Sequence, residues 1–178
     1  LYEGGVYLIS DDILDSVSKT RYSFLDNEIT EVEPSDYDKA VIELSGTVRP
    51  QTITLEIDTV ESEEETESSG DEAVVSSTEK QYTLTTPTVQ TITEASASQV
   101  TDGLYSLYAN QIAAVNPTEE QLAEYGLDEP YSVVSVSIDG VEQFTLRASE
   151  RNSNNYVYMT KDGSPFVYLV SASRLSWP

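Results

Sequence analysis

Three groups of residues in this chain have types that could do chemistry. Ser16-Val17-Ser18-Lys19 has the Ser-x-x-Lys spacing of penicillin-interacting serine enzymes, in which the lysine lowers the barrier to deprotonating the serine. Its companions are missing: no Ser-x-Asn element follows suitably downstream, and Lys161-Asp162-Gly163, the nearest approach to the third motif, reads as a hairpin turn. A chance match in a Ser-rich chain is the better reading. The second group is the 32 carboxylates, among which glycosidase chemistry would need two at a defined separation. Glu119, Glu120 and Glu124 are more simply solvent-facing helix charges, and Asp128 and Glu129 belong to a turn. A shared surface calcium site is the other use such carboxylates have. The third group is aromatic: 12 tyrosines, with Asn152-Ser153-Asn154-Asn155-Tyr156-Val157-Tyr158 setting an adaptable polar loop beside an aromatic strand. Tyr156, Tyr158, Asn152, Asn154 and Asn155 form the candidate interaction surface, suited to protein or carbohydrate contact. Against it stands the ordinary use of Tyr on strands, where the ring covers a core edge and the hydroxyl stays wet.

Composition removes several alternatives. With no Cys there is no disulfide framework, thiol nucleophile or thiolate metal site, and with no His the usual general base and transition-metal ligand are gone. No cofactor, metal site or catalytic residue is expected, and the chain reads as non-enzymatic. Nine Lys and Arg against 32 Asp and Glu give a net charge of −23, a field that repels phosphate backbones and anionic lipid. Nucleic acid is therefore not an expected partner. Asp58 to Glu72 holds 8 acids and no base, leaving 24 acids against 9 bases elsewhere, so the acidity belongs to the whole surface. A Cys-free, Thr/Ser/Glu-rich acidic chain favours an exported bacterial location over the cytosol. No stretch of about 18 apolar residues is present, so direct membrane insertion of this fragment is not expected. Because the chain opens on Leu1, a processed form or fragment is expected, with its anchor upstream.

The elements that must position these groups are legible in part. Val6 to Ile9 reads as a short buried strand, followed by a helix capped by Asp11 with Ile13, Leu14 and Val17 on one face. Phe24, Leu25 and Ile29 continue as a connection, and Pro34 with Asp36 marks a turn. Ala40 to Leu44 and Thr52 to Ile57 predict strands, the second with Ile53, Leu55 and Ile57 alternating with Thr54 and Glu56. Glu61 to Thr78 has the Glu/Ser/Thr/Gly composition of a mobile loop that does not bury enough apolar surface to offset its ordering entropy. Tyr82 and Leu84 return as a strand, and Val89 and Ile92 as a short extended piece. Ser96 to Gln99 has the form of a capping box, and behind it Val100, Leu104, Leu107, Tyr108, Ile112 and Val115 fall at helical spacing. This predicts one long helix over 97–115, with Gly103 inside it at a cost of about 1 kcal/mol, which implies either close approach of a neighbouring backbone or simple tolerance. Thr118 and Gln121 predict a second capped helix ending at Tyr125-Gly126, with Leu127 folding back. A meander follows: Val134, Val136 and Ile138, an Asp139-Gly140 turn, Phe144 and Leu146, then Tyr156 to Met159 and Phe166 to Val170 around Lys161-Asp162-Gly163.

The ends of the chain are near copies: Gly5-Val6-Tyr7-Leu8-Ile9-Ser10 returns as Phe166-Val167-Tyr168-Leu169-Val170-Ser171. Together with the long helix, Tyr125-Gly126-Leu127-Asp128-Glu129-Pro130, the strand pair around Asp139-Gly140 and Tyr156-Val157-Tyr158, this set resembles the bacterial extracytoplasmic domain-of-unknown-function family 4340. The resemblance covers about residues 80 to 171, and residues 6 to 57 look like the tail of a preceding copy. One departure is that Ala148-Ser149-Glu150 stands where the family usually turns on Gly.

The expected fold is α+β: a twisted antiparallel sheet with the helix of residues 97 to 115 packed across one face, and a tandem-repeat relationship between the two ends. The expected division is residues 1–60 as the C-terminal part of a preceding repeat, 61–79 as an acidic mobile loop, and 80–178 as the main part of the second repeat. The resemblance implies an extracytoplasmic module anchored to the cytoplasmic membrane by a segment absent from this chain. It also implies an envelope protein as partner, with transporter subunits of the ABC type among the candidates. Two other readings stay open: a cell-wall glycan or carbohydrate-binding module, and a hydrolase using carboxylates or Ser16.

Overall fold

In the computed structural model, which describes residues 22, 25–33, 39–66 and 73–177, the alternating segments pair into an antiparallel sheet. For residues 62–66 and 73–76 the description covers the backbone alone. The strands are β1 (Glu28–Thr30), β2 (Lys39–Ser45), β3 (Ile53–Thr66), β4 (Ala73–Thr86), β5 (Gln90–Ile92), β6 (Leu107–Tyr108), β7 (Gln111–Val115), β8 (Ser132–Ile138), β9 (Val141–Ala148), β10 (Tyr156–Lys161) and β11 (Phe166–Ser171). Among the described residues nine of them form one sheet in the order β5-β4-β3-β2-β8-β9-β10-β11-β7, and β1 pairs with β6. The described residues include two α-helices, α1 (Glu94–Thr101) and α2 (Glu119–Glu124), and a 3-10 turn over Ala172–Arg174.

Period-two patterning explains the sheet. Ala40, Ile42 and Leu44 of β2, Leu55 and Ile57 of β3, and Val134, Val136 and Ile138 of β8 are all buried in one core. Phe144 and Leu146 of β9, Val157 and Met159 of β10, and Tyr168 and Val170 of β11 extend it. Each large side chain buried this way contributes about 2 kcal/mol relative to exposure. Asp139 and Gly140, at φ 50° and 78°, form the tight turn of the β8–β9 hairpin, the primed geometry that matches strand twist. On the opposite face a smaller cluster of Ala114, Leu127 and Val167 gathers under α2. That helix carries the expected capping box: the Thr118 hydroxyl accepts from the Gln121 N–H at 3.2 Å, and the Gln121 side chain accepts from the Thr118 N–H at 3.0 Å. Its C-terminus closes as expected, with the Leu127 N–H reaching the Leu122 carbonyl at 2.8 Å.

The antiparallel sheet with a helix packed on it stands as read from the sequence, but the helix expected over 97–115 is corrected. It runs Glu94–Thr101, starts on Thr93 rather than at Ser96, and buries Ala97 against the core. Gly103 ends it at φ 81°, and a Cβ there would meet the Arg174 carbonyl oxygen at 2.1 Å, so the chain leaves the helix where two backbones touch. Beyond it Leu107 and Ala109 are buried around an exposed Tyr108, and Ile112 and Ala114 around Ala113: this is strand alternation, hidden in the sequence by small, helix-favouring Ala. The short piece expected around Val89 and Ile92 is β5, with Val89 in the preceding turn.

Residues 61–79 have a loop's composition, yet β3 and β4 stay paired along much of them, to Thr66 opposite Ala73. The register set by Leu55 opposite Leu84 and Ile57 opposite Tyr82 propagates outward, with Val74, Val75 and Thr78 on β4 favouring extended backbone opposite the Glu-rich end of β3. β2 flanks β3 only over Ile53 to Asp58, and β5 flanks β4 only over Tyr82 to Leu84. Past those pairs the hairpin continues as a two-stranded arm about 25 Å long at ~3.3 Å per residue. The sheet itself is continuous across the chain: β2 pairs with β8 from Ala40 opposite Ile138 to Ser45 opposite Val133.

The strand at Val6 to Ile9, the helix capped by Asp11, Ser16 and Lys19, Phe24, and the turn at Pro34 and Asp36 lie outside the described residues, as does the first member of the repeated hexapeptide. Among the described residues no helix is long and apolar enough to cross a membrane.

The close approach at Gly103 gives a direct comparison. Gly103→Ala should cost roughly 3 kcal/mol, combining left-handed strain with the clash on Arg174. Gly140→Ala, with nothing within 4 Å of the added carbon, should cost about 1 kcal/mol. Urea unfolding of the two variants checks this; equal losses would mean that the helix end is not wedged against residue 174.

Candidate functional site

A cleft opens where the core face of the sheet runs out beneath α1. Its walls come from four places: Ile57, Lys80 and Tyr82 at the base of the β3–β4 arm; Glu94, Thr101, Asp102 and Gly103 from α1 and its end; Tyr105; and Glu33. The volume is about 520 Å3, within the range of sites that take a small group rather than a whole chain. A second depression of about 680 Å3 shares Lys80, Tyr82 and Glu94 with it and continues across the sheet edge past Gln81, Thr91 and Thr93.

Each wall is held by an interaction that the sequence pattern does not announce. Thr30 is 1% exposed; its hydroxyl donates to the Leu104 carbonyl at 2.8 Å and accepts from the Leu107 N–H at 3.1 Å. That clip fixes β1 on β6 and so carries Glu33 to the rim and Tyr105 to the wall. From the other side the Lys161 ammonium donates to the Ile29 carbonyl at 2.8 Å, tying β1 to β10. Ser106 bonds the Glu33 carboxylate at 3.4 Å, and Lys80 donates to the Thr59 hydroxyl at 2.8 Å across the hairpin. Glu94 opens α1, where a negative charge is favoured by the helix dipole.

Tyr105 is the unusual member. Its hydroxyl is buried and reaches no hydrogen-bond partner, and burial pushes it well above the ordinary tyrosine value. Burial, followed by the Glu94 charge, also raises Tyr82. The cleft thus combines two half-buried aromatic rings, three carboxylates and one lysine. Among the described residues no group of three or more His, Cys, Asp or Glu side chains gathers as a metal site, so the carboxylates are spread around the rim.

The residues singled out from sequence lie elsewhere. Asn152 organises the turn into β10: its side-chain oxygen accepts from the N–H groups of Asn154 and Tyr156, both at 3.0 Å. Asn155 sits at φ 63°, with its carbonyl bonded by the Ala172 N–H at 2.9 Å. Tyr156 and Tyr158 are half-buried on β10, and Tyr158 lies 4.5 Å from Tyr125 ring to ring, covering the α2 cluster. These five residues sit together around one strand end but do not border the cleft. At the Ala148-Ser149-Glu150 departure, Ser149 is 4% exposed and its hydroxyl accepts from the Tyr158 N–H at 3.0 Å, which shapes the turn without glycine. Nearby, Tyr131, Glu150, Arg151, Val157, Ala172 and Leu175 line a smaller cavity of about 330 Å3. Sequence reading missed Glu33, Glu94, Asp102 and Tyr105 as a group; the one available signal was Asp102-Gly103, a helix stop.

The buried hydroxyl gives a sign-definite expectation. A tyrosine raised in the folded state contributes stability below the unfolded value near 10 that is lost as pH rises above it. Tyr105→Phe should therefore be neutral or stabilising by about 0.5 kcal/mol at pH 7, since no hydrogen bond is lost, and should flatten the fall in stability above pH 10. Urea midpoints from pH 7 to 11 check both halves.

Comparison with known proteins places the chain without adding an activity. None of the curated proteins and none of the solved structures matches it. The family described as Domain of unknown function (DUF4340) matches residues 83–177, just over half of the 178 residues, from the returning strand of the arm to the buried Trp177. The chain belongs to that family.

Proposed function

We propose that this chain is a non-enzymatic binding and scaffold module of the bacterial cell envelope. In this reading it works on the extracytoplasmic side, tethered to the cytoplasmic membrane by a segment outside this sequence, and is accessory to a transport system of the ABC type. The observation that carries it is the placement of the cleft at the base of the arm. A partner seated in one is within reach of the other, and the arm adds two strand edges that no other strand among the described residues flanks, the kind of surface that recruits an extended segment. The surface charge supports a protein partner over nucleic acid or anionic lipid. The near copy of Phe166–Ser171 at Gly5–Ser10 supports tandem modules, which suit spacers and contact surfaces. The second reading, a glycan-binding module, draws on the concavity of the cleft and on its pairing of Tyr82 and Tyr105 with carboxylates.

Crosslinking of the full-length protein in its native membranes, followed by mass spectrometry, separates the two. Reproducible recovery of transporter subunits is the expected result. Capture of wall polymer alone, or nothing reproducible, overturns the scaffold reading and moves glycan binding to first place.

A further inference from the structure

We infer that the cleft between the arm, α1 and Tyr105 is a receptor for a cationic side chain, a Lys or Arg presented by the protein partner; the inference rests on the scaffold reading above. Four observations carry it. The first is size: about 520 Å3 admits one long side chain and its flanking backbone, not a folded domain. The second is the balance of charge on the walls, where Glu33, Glu94 and Asp102 face a single Lys80. Three carboxylates against one ammonium leave the walls with a net negative charge. An incoming cation gains from that excess, whereas a neutral sugar does not.

The third is the aromatic lining. Tyr82 and Tyr105 supply ring surface for an alkyl stem and a cation, the combination that makes aromatic walls selective for ammonium and guanidinium groups. The fourth is the Tyr105 hydroxyl, a buried oxygen with no hydrogen-bond partner among the described residues. A donor delivered by a ligand would satisfy it once the ring turns to bring the oxygen to the cleft surface. The carboxylates do not converge as a metal site does, so the arrangement fits the dispersed N–H groups of a side chain better than a bare divalent ion. Ile57 at the base completes an apolar seat for the methylene stem.

The test is a titration of the 15N-labelled chain with the blocked tripeptide acetyl-Gly-Lys-Gly-amide. Its side-chain-acetylated form, which keeps the stem and loses the charge, is the control. Saturable shifts centred on Tyr82, Asp102, Gly103 and Tyr105 are expected, at least tenfold weaker with the acetylated peptide and at least tenfold weaker in Glu94→Gln. Glu94 is exposed, so that variant folds; Glu119→Gln on α2 serves as the charge-matched control and should bind like the parent. Shifts spread over the whole acidic surface, equal binding of the acetylated peptide, or no saturable binding overturns the inference. Native-membrane crosslinking with Glu94→Gln keeps the two proposals apart. Loss of a captured partner supports a cation seat, while unchanged capture leaves the scaffold reading standing and removes the cleft from it.

Discussion

Everything in this fold depends on the burial of one strand on both of its edges. β2 lies between β3 and β8, and its inward residues Ala40, Ile42 and Leu44 are 1%, 0% and 2% exposed. The three are the hub through which the arm and its cleft on one side, and the β8–β9–β10–β11–β7 meander on the other, share a single core. A strand with neighbours on both edges satisfies every backbone donor and acceptor in the ladder, which a half-sheet ending at β8 would leave to solvent. The chain therefore reads as one structural unit across residues 39–66 and 73–177. The family match begins at Thr83, so β2 and β3 are supplied from outside the matched segment while packing inside the same core.

The cleft is a consequence of that geometry. β2 stops flanking β3 at Asp58, β5 stops flanking β4 at Tyr82, and α1 covers only the last part of the exposed face. What remains uncovered between Ile57, Tyr82 and the end of α1 is a concavity whose outer wall is built from distant chain. Thr30 joins β1 to the Leu104–Leu107 corner, and Gly103 presses the same corner on Arg174. At the far end, Arg49 donates to the Ser132 hydroxyl at 2.6 Å and to the Trp177 carbonyl, so the buried Trp177 also closes on the β2 side. Rigid corners of this kind hold a recognition surface in place without any ligand to organise it.

Much of the fold was legible in the sequence because it rests on local physics. Alternation at Ile53 to Ile57 and Val134 to Ile138, the Asp139-Gly140 turn and the Thr118 to Gln121 capping box each express a rule that operates within ten residues. The long helix failed because Leu107, Tyr108, Ile112 and Val115 satisfy a helical spacing while the alternating partners Ala109 and Ala114 are too small to register as core. Gly103 was the local evidence against that helix: the close approach of a neighbouring backbone that it implies is present, but at the end of the helix and not in its interior. The 61–79 segment is a tertiary override: composition argued for a loop, and the register of the adjoining core pairs carries the strands outward. The site was the least legible part. Glu33, Tyr82, Glu94 and Tyr105 meet only because β1 pairs with β6 almost eighty residues later, a long-range choice that no window of sequence contains. The Asn152 to Tyr158 surface was visible for the opposite reason, being contiguous, and its asparagines serve the turn itself.

Amide hydrogen exchange on the full chain, resolved by residue, tests the central claim most directly. If β2 is the shared hub, the amides of Ala40 to Leu44, of Val134 to Ile138 and of Leu55 to Ile57 open together, with one free energy equal to that of global unfolding. If residues 39–66 instead exchange as a separate, less protected unit while β8 to β11 stay closed, the single-core account is wrong and the chain is two units side by side.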